Sequence, residues 1–176
     1  MHRAVILDRD GVINKSIVVN GKPFPPNSVT EVEIFDDVSF CVSELRNEGF
    51  EIVVVTNQPD IARGKTNSSE VEKIHNLIRD KTGIKDFFVC PHDDSDNCNC
   101  RKPRIGLLVQ AANALDLDLQ RSFMVGDRWR DMEAGQKAGC SCFFINNKYS
   151  EQLPKPPYIE VESLSEATKI IIEANK

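Results

Sequence analysis

The sequence predicts an α/β fold in which a parallel sheet is covered by helices on both faces, three layers in all. Short apolar runs rich in branched or aromatic residues recur at Ala4–Leu7, Glu51–Val55, Phe87–Val89, Ser122–Val125 and Cys142–Ile145. The stretches between them place apolar residues at helical spacing, and strands alternating with helices build a parallel sheet buried on both sides. In addition, three of the runs end at once in carboxylates, hydroxyls or amides. The carboxyl ends of parallel strands share one edge of the sheet, where open α/β folds bind their ligands.

Ala4–Leu7 is bounded directly by Asp8-Arg9-Asp10-Gly11, the pattern of a buried strand running into a turn. With extended geometry maintained through the turn, Asp8 and Asp10 point to the same side, because side chains alternate with a period of two. A polar, proline-rich loop follows from Lys15 to Val32, with Pro23, Pro25 and Pro26. Such a loop either shapes access to a site or serves as a plain surface connection. From Asp37 to Asn47, Val38, Cys41, Val42 and Leu45 fall on one helical face, with Gly49 as the stop. The strand from Glu51 leads into Thr56-Asn57-Gln58. A helix then starts near Asn67 to Ser69, where Asn67/Glu70 and Ser69/Glu72 offer capping pairs. His75 lies beside that helix's apolar face and reads as an ordinary helix residue.

The strand at Phe87–Val89 leads into a cysteine cluster, and a helix follows from about Ile105 to Leu115. Ser122–Val125 ends in Gly126-Asp127, Asp131 to Ala138 is a short helix stopped by Gly139, and Cys142–Ile145 is the next strand. Ser163 and Glu166 cap a last helix through Ile170 to Ile172. No repeat or linker divides the chain, so one domain over residues 1–176 is expected.

Composition narrows the class. The chain is 40% apolar and 28% charged, with a net charge of -5 and no long basic run, which argues against a nucleic-acid surface. No segment has the length of a membrane span, and the start is too short for a signal peptide. A cytoplasmic location is expected, where the six cysteines stay reduced.

Two groups of residues carry chemistry. Asp8 and Asp10, Thr56 and Asn57, and Asp127 with Asp131 all belong to strand ends or the turn after them. Arg101-Lys102 precedes the helix before the fourth strand. A D-x-D pair alone also reads as a solvated turn. Two carboxylates held close repel unless a cation sits between them, so a divalent metal is implied. Acids for a metal, a hydroxyl and amide, and fixed cations together suit a phosphoryl group. The second group is Cys90, His92, Cys98 and Cys100, soft or borderline ligands that suit tetrahedral zinc. An unmetallated loop with free thiols is the other reading, and Cys41, Cys140 and Cys142 read as small core residues.

The order DRDGVIN, TNQ, RKP, VGDRWRDMEAG resembles the haloacid dehalogenase superfamily of aspartate-nucleophile phosphatases. Within it, DRDGVIN, TNQPDIARG and the CPH…CNCRKP segment are similar to the D-glycero-D-manno-heptose 1,7-bisphosphate phosphatases, and close to the histidinol-phosphate phosphatases. The resemblance covers about residues 4 to 145 and implies a Rossmann-like sheet without a large cap domain. It implies that Asp8 is the nucleophile and Asp10 the general acid and base. Mg²⁺ would be held by the Asp8 carboxylate, the Asp10 backbone carbonyl and Asp127. Thr56 and Lys102 would bind phosphoryl oxygens, and Asn57, Gln58 and Arg101 would contact substrate. Arg128 stands where lysine is common in the family, a cation with a forked head that can meet a different group. The resemblance also makes Cys90, His92, Cys98 and Cys100 a structural zinc loop that fixes Arg101 and Lys102.

The implied substrate is a small phosphorylated sugar, acted on by a monomer without nucleic-acid or membrane partners. The leading expectation is the 7-phosphate of a heptose bisphosphate, with histidinol phosphate next. A zinc-stabilised binding module without catalysis is a different class, but it would not need a nucleophile. A transferase passing the phosphoryl group to a sugar is a further possibility. Pro59-Asp60 departs from the Ser-Gly common after TNQ; Pro59 lacks an N–H for phosphate, and Asp60 would repel an anion if it faced inward.

Overall fold

Each apolar run becomes a strand, and each helical pattern a helix. In chain order the elements are β1 (Ala4–Leu7), β2 (Ile17–Val19), β3 (Lys22–Phe24), α1 (Val38–Asn47), β4 (Glu51–Asn57), α2 (Ser68–Thr82) and β5 (Asp86–Cys90). They continue with α3 (Gly106–Leu115), β6 (Phe123–Gly126), α4 (Trp129–Ala138), β7 (Ser141–Ile145), β8 (Ile159–Val161) and α5 (Leu164–Ala174). The structure is a computed structural model and describes residues 1–175. One sheet takes the order β5-β4-β1-β6-β7-β8, with every neighbouring pair parallel.

Alternation along the strands sorts side chains to the two faces. Val5 and Leu7 of β1, with Ile52 and Val54 of β4, join the cluster that holds Leu45 of α1, Ile74 and Ile78 of α2, and Ile171 of α5. Ala4, Ile6, Val53 and Val55 point the other way, into a cluster with Leu107 and Leu108 of α3 and Met132 and Ala134 of α4. Burial on both faces explains why β1 reads as an uninterrupted apolar run. The helix boundaries follow the capping residues: Asn67 accepts from the Glu70 N–H at 2.9 Å and Ser163 from the Glu166 N–H at 3.2 Å. Gly139, at φ +88°, ends α4 in the left-handed conformation.

Two features go beyond the expected elements. The Lys15–Val32 loop contains a hairpin, β2–β3, turned at Asn20-Gly21 with both residues at positive φ. Ile159–Val161 adds an edge strand, β8. β2, β3 and β8 are three residues each and almost entirely exposed or half-buried, so none leaves a long apolar run in the sequence. Among the described residues, the segment between β1 and α1 holds this hairpin and a short 3₁₀ turn, with no inserted cap domain.

The chain leaves β1 toward β4 and β5 on one side and later returns to β6, β7 and β8 on the other. The strand order therefore reverses between β1 and β6, whose carboxyl ends open the crevice. Leu7 pairs with Val125, and the Asp8 N–H donates to the Val125 carbonyl at 3.0 Å. Asp8 and Asp127 are thus brought side by side.

Candidate active site

Three carboxylates meet, and one ammonium group pairs with two of them. Asp8, Asp127 and Asp131 each place an oxygen within 4.8 Å of the others, and all three side chains are buried. The fully buried Lys102 Nζ lies 2.9 Å from Asp8 Oδ1 and 2.7 Å from Asp131 Oδ1, and donates to the Val55 carbonyl at 2.8 Å. Asp131 also caps α4, accepting from the Arg128 N–H at 3.0 Å. Burial first, then Asp131, raises the Asp8 carboxyl above its ordinary range, against the pull of Lys102. Burial, then Asp8 and Asp131, pushes Asp127 well above its ordinary range. Lys102 pairs with Asp8 and Asp131 only, so acid is in excess at this buried cluster. Asp127 Oδ2 accepts from Tyr149 Oη at 2.7 Å, but its buried Oδ1 has no partner among the described residues. An orphaned carboxylate oxygen beside two further acids fits a hard divalent cation. Gly11 is needed here: it has φ +83°, and a Cβ would lie 1.7 Å from Asp127 Oδ2.

Asp10 stands apart from this trio and is held by donors. Its Oδ1 accepts from Arg9 Nε at 3.1 Å and Asn14 Nδ2 at 3.0 Å, and its Oδ2 from Gln58 Nε2 at 2.8 Å. Gln58 also donates to Thr56 Oγ1 at 2.8 Å. Arg9 is fully buried, and its Nη1 is 3.2 Å from His75 Nε2. His75, an ordinary helix residue by sequence, is therefore buried in contact with the turn that carries the acids.

A cavity of about 330 Å³ opens over these groups, lined among others by Asp8, Asp10, Asn57, Arg101, Lys102 and Arg128. Thr56, Gln58 and Asp127 are buried behind that lining. Asn57 uses both ends of its amide on the Lys102 backbone, donating at 3.1 Å and accepting at 3.0 Å. It therefore ties the tip of β4 to the Arg101-Lys102 segment. Arg128 forms a forked pair with Glu151, at 3.1 and 2.5 Å, and Arg101 pairs with Asp94 at 2.8 Å. Asp60 is buried against Arg63 at 3.3 Å, so its charge is matched and does not stand free toward the cavity. Glu151, Arg130 and the hairpin residues Lys22 and Phe24 also line the cavity. Lys22 and Phe24 belong to the Lys15–Val32 loop, one of whose expected roles was to shape access to a site, whereas the sequence offered no signal for Glu151, whose place depends on how a distant loop folds back.

The second cluster forms at the end of β5. The sulfurs of Cys90, Cys98 and Cys100 lie 3.1 to 3.7 Å apart, and His92 Nδ1 is 3.6 and 3.4 Å from Cys90 and Cys100. A tetrahedral zinc with sulfur at about 2.3 Å spaces its ligands about 3.8 Å apart, so the donor set and its spread fit that ion. Burial pushes the Cys98 thiol up, but the N–H of Arg101 and the contacts of Cys100 and Cys90 together outweigh it and bring the thiol down to about 7, while burial pushes Cys90 up. Arg101 donates to the His92 carbonyl, which fastens it to this loop.

Comparison with known proteins places the fold and the family. The family model described as HAD-hydrolase-like matches residues 99–167. A D-glycero-alpha-D-manno-heptose-1,7-bisphosphate 7-phosphatase of Photorhabdus laumondii is 32% identical in an alignment 185 positions long that covers 96% of each chain. The D-glycero-beta-D-manno-heptose-1,7-bisphosphate 7-phosphatase of Escherichia coli K12 is 33% identical over 93% of this chain and 86% of its own. The crystal structure of D,D-heptose 1,7-bisphosphate phosphatase from B. bronchiseptica, complexed with magnesium and phosphate, matches with a TM-score of 0.84 and 26% identity, over 98% of this chain and 99% of that one. Fold, site and near full-length likeness together place the chain: it belongs to the haloacid dehalogenase superfamily, in its family of heptose-bisphosphate 7-phosphatases.

Proposed function

We propose that this chain hydrolyses the 7-phosphate of D-glycero-D-manno-heptose 1,7-bisphosphate, with Mg²⁺ as cofactor and Asp8 as nucleophile. The observation that carries the reading is Asp8 at the cavity wall, fixed at 2.9 Å by the buried Lys102 and grouped with Asp127 and Asp131. A carboxylate approaching a phosphate dianion meets like charge, so cations must neutralise the phosphoryl oxygens. Lys102 supplies one. Asp8, Asp127 and the Asp10 carbonyl would hold Mg²⁺, with Asp131 alongside; when bound, the ion supplies the remaining positive charge.

An Asp8 oxygen forms the bond to phosphorus as the bond from phosphorus to the sugar oxygen breaks. Asp10 delivers its proton to that oxygen, and an aspartyl-phosphate remains. Asp10 then takes a proton from the water that attacks phosphorus, which releases inorganic phosphate and restores Asp8. Thr56 accepts from Gln58, leaving its own hydroxyl hydrogen to donate toward a phosphoryl oxygen. Cys90, His92, Cys98 and Cys100 would hold a structural zinc, which keeps Arg101 and Lys102 in place. The unit works as one domain and as a monomer on a small phosphorylated sugar.

Phosphate release tests this. Heptose 1,7-bisphosphate, histidinol phosphate and common sugar phosphates are compared with and without Mg²⁺. Preferred, Mg²⁺-dependent release from the heptose bisphosphate is expected. Preference for histidinol phosphate overturns the substrate, and no release from any ester overturns the enzyme.

A further inference from the structure

We propose that His75 is a positioning residue for Asp10, acting through Arg9 as a buried neutral acceptor. The inference rests on reading Asp10 as the acid that protonates the leaving oxygen. Arg9 is fully buried, and its guanidinium reaches two groups at once. Nε and Nη2 donate to Asp10 at 3.1 and 3.0 Å, and Nη1 meets His75 Nε2 at 3.2 Å. A guanidinium has donors only, so Nε2 must be the acceptor and the ring hydrogen sits on Nδ1. Nδ1 faces Glu72, 3.8 Å from its Oε2, which favours that tautomer. The ring is stacked on Phe87 at 4.4 Å and 21°, and burial, followed by Arg9 and Arg79, lowers its pKa to about 3.

The fork of Arg9 sets the plane of the Asp10 carboxylate, and His75 sets the rotation of the fork. Gln58 and Asn14 contact Asp10 from other sides but make no contact that replaces the His75 end. An apolar side chain at position 75 would fill the same space against Phe87 while leaving Nη1 without an acceptor. Arg9 is then free to turn, and Asp10 loses its aim at the leaving oxygen.

This predicts a leaving-group signature that packing alone does not. A sugar alcohol needs its oxygen protonated as it leaves; nitrophenolate does not. The measured quantity is kcat/KM, which reports steps through phosphoryl transfer to Asp8 and not the later attack of water. His75→Leu, His75→Phe, His75→Gln and Asp10→Asn are compared with wild type on heptose 1,7-bisphosphate and p-nitrophenyl phosphate, with Mg²⁺ throughout. General acid catalysis contributes roughly 10²–10⁴-fold, so losing its aim should lower kcat/KM on the sugar substrate at least ~10-fold. The expected result is that loss for His75→Leu, with p-nitrophenyl phosphate nearly unchanged. His75→Gln, whose Oε1 can take the place of Nε2, restores most of it. His75→Phe keeps the ring stack and gives the same answer if the leucine variant does not fold. Equal losses on both substrates, or none, overturn the role of His75. If Asp10→Asn also fails to discriminate between the substrates, the reading of Asp10 as the acid is what falls.

Discussion

Asp127 shows how much a single residue must be balanced by what binds it. Its buried, unpartnered oxygen and its two acidic neighbours make the metal-free site self-repelling. A ligand that binds only the folded state stabilises it by mass action, so Mg²⁺ should raise the melting temperature. Asp127→Asn is expected to melt above the wild type without Mg²⁺ and to lose the Mg²⁺-induced rise; an undiminished rise in calorimetry would remove Asp127 from the cation site. His75 carries a pH effect of its own. Its pKa falls from 6.5 to about 3 on folding, so the unfolded chain binds the extra proton between those values. Stability is therefore complete above pH 6.5 and declines as the pH falls toward 3, by about 2 kcal/mol at pH 5 from this group. Urea titrations at pH 7 and pH 5 should show that much less acid loss in His75→Gln. The acids themselves were legible in the sequence, since they end buried strands. The Arg9–His75 contact was not, because a residue on α2 meets the first turn only after the sheet brings them together.

Among the elements, the segment from Cys90 to Lys102 is held by its ends rather than by a core. Its short 3₁₀ turn has no buried residue, and it is fixed by side-chain pairs and by the Cys/His cluster. With the proposed zinc bound, metal–ligand free energy would substitute for apolar burial in this stretch. Cys98→Ser, or prolonged chelation, should release close to one zinc per chain and lower turnover at least ~10-fold, in keeping with loss of a structural site. Elemental analysis beside phosphate release checks both; full turnover in a zinc-free protein would separate the loop from the positioning of Arg101 and Lys102. The strands and helices of the main sheet were readable from apolar runs and caps. The hairpin β2–β3 was not, although its Asn20-Gly21 turn is a recognised hairpin signal. Its strands are three residues each, one contains Pro23, and Ile17, Val18 and Val19 are all exposed, so no alternation marks a buried face. The edge strand β8 escaped notice for the same reason of length.

At the level of the whole molecule, the site exists because the sheet reverses direction of growth between β1 and β6. Asp8 and Asp127 are far apart in sequence, yet adjacent through the Leu7–Val125 pairing. Lys102 reaches Asp8 and Asp131 from the segment before α3, held to β4 by Asn57. Their convergence was foreseeable from strand order alone, whereas the pairing of Arg128 with Glu151 depended on the return of the chain after β7. The most direct test of the central claim is acid quenching of the wild type during turnover of phosphorus-labelled substrate, followed by peptide mapping. Label on the Asp8 peptide, lost on treatment with hydroxylamine and absent from Asp8→Asn, is the expected result. Full turnover with no label on Asp8, or with label on another residue, would contradict it.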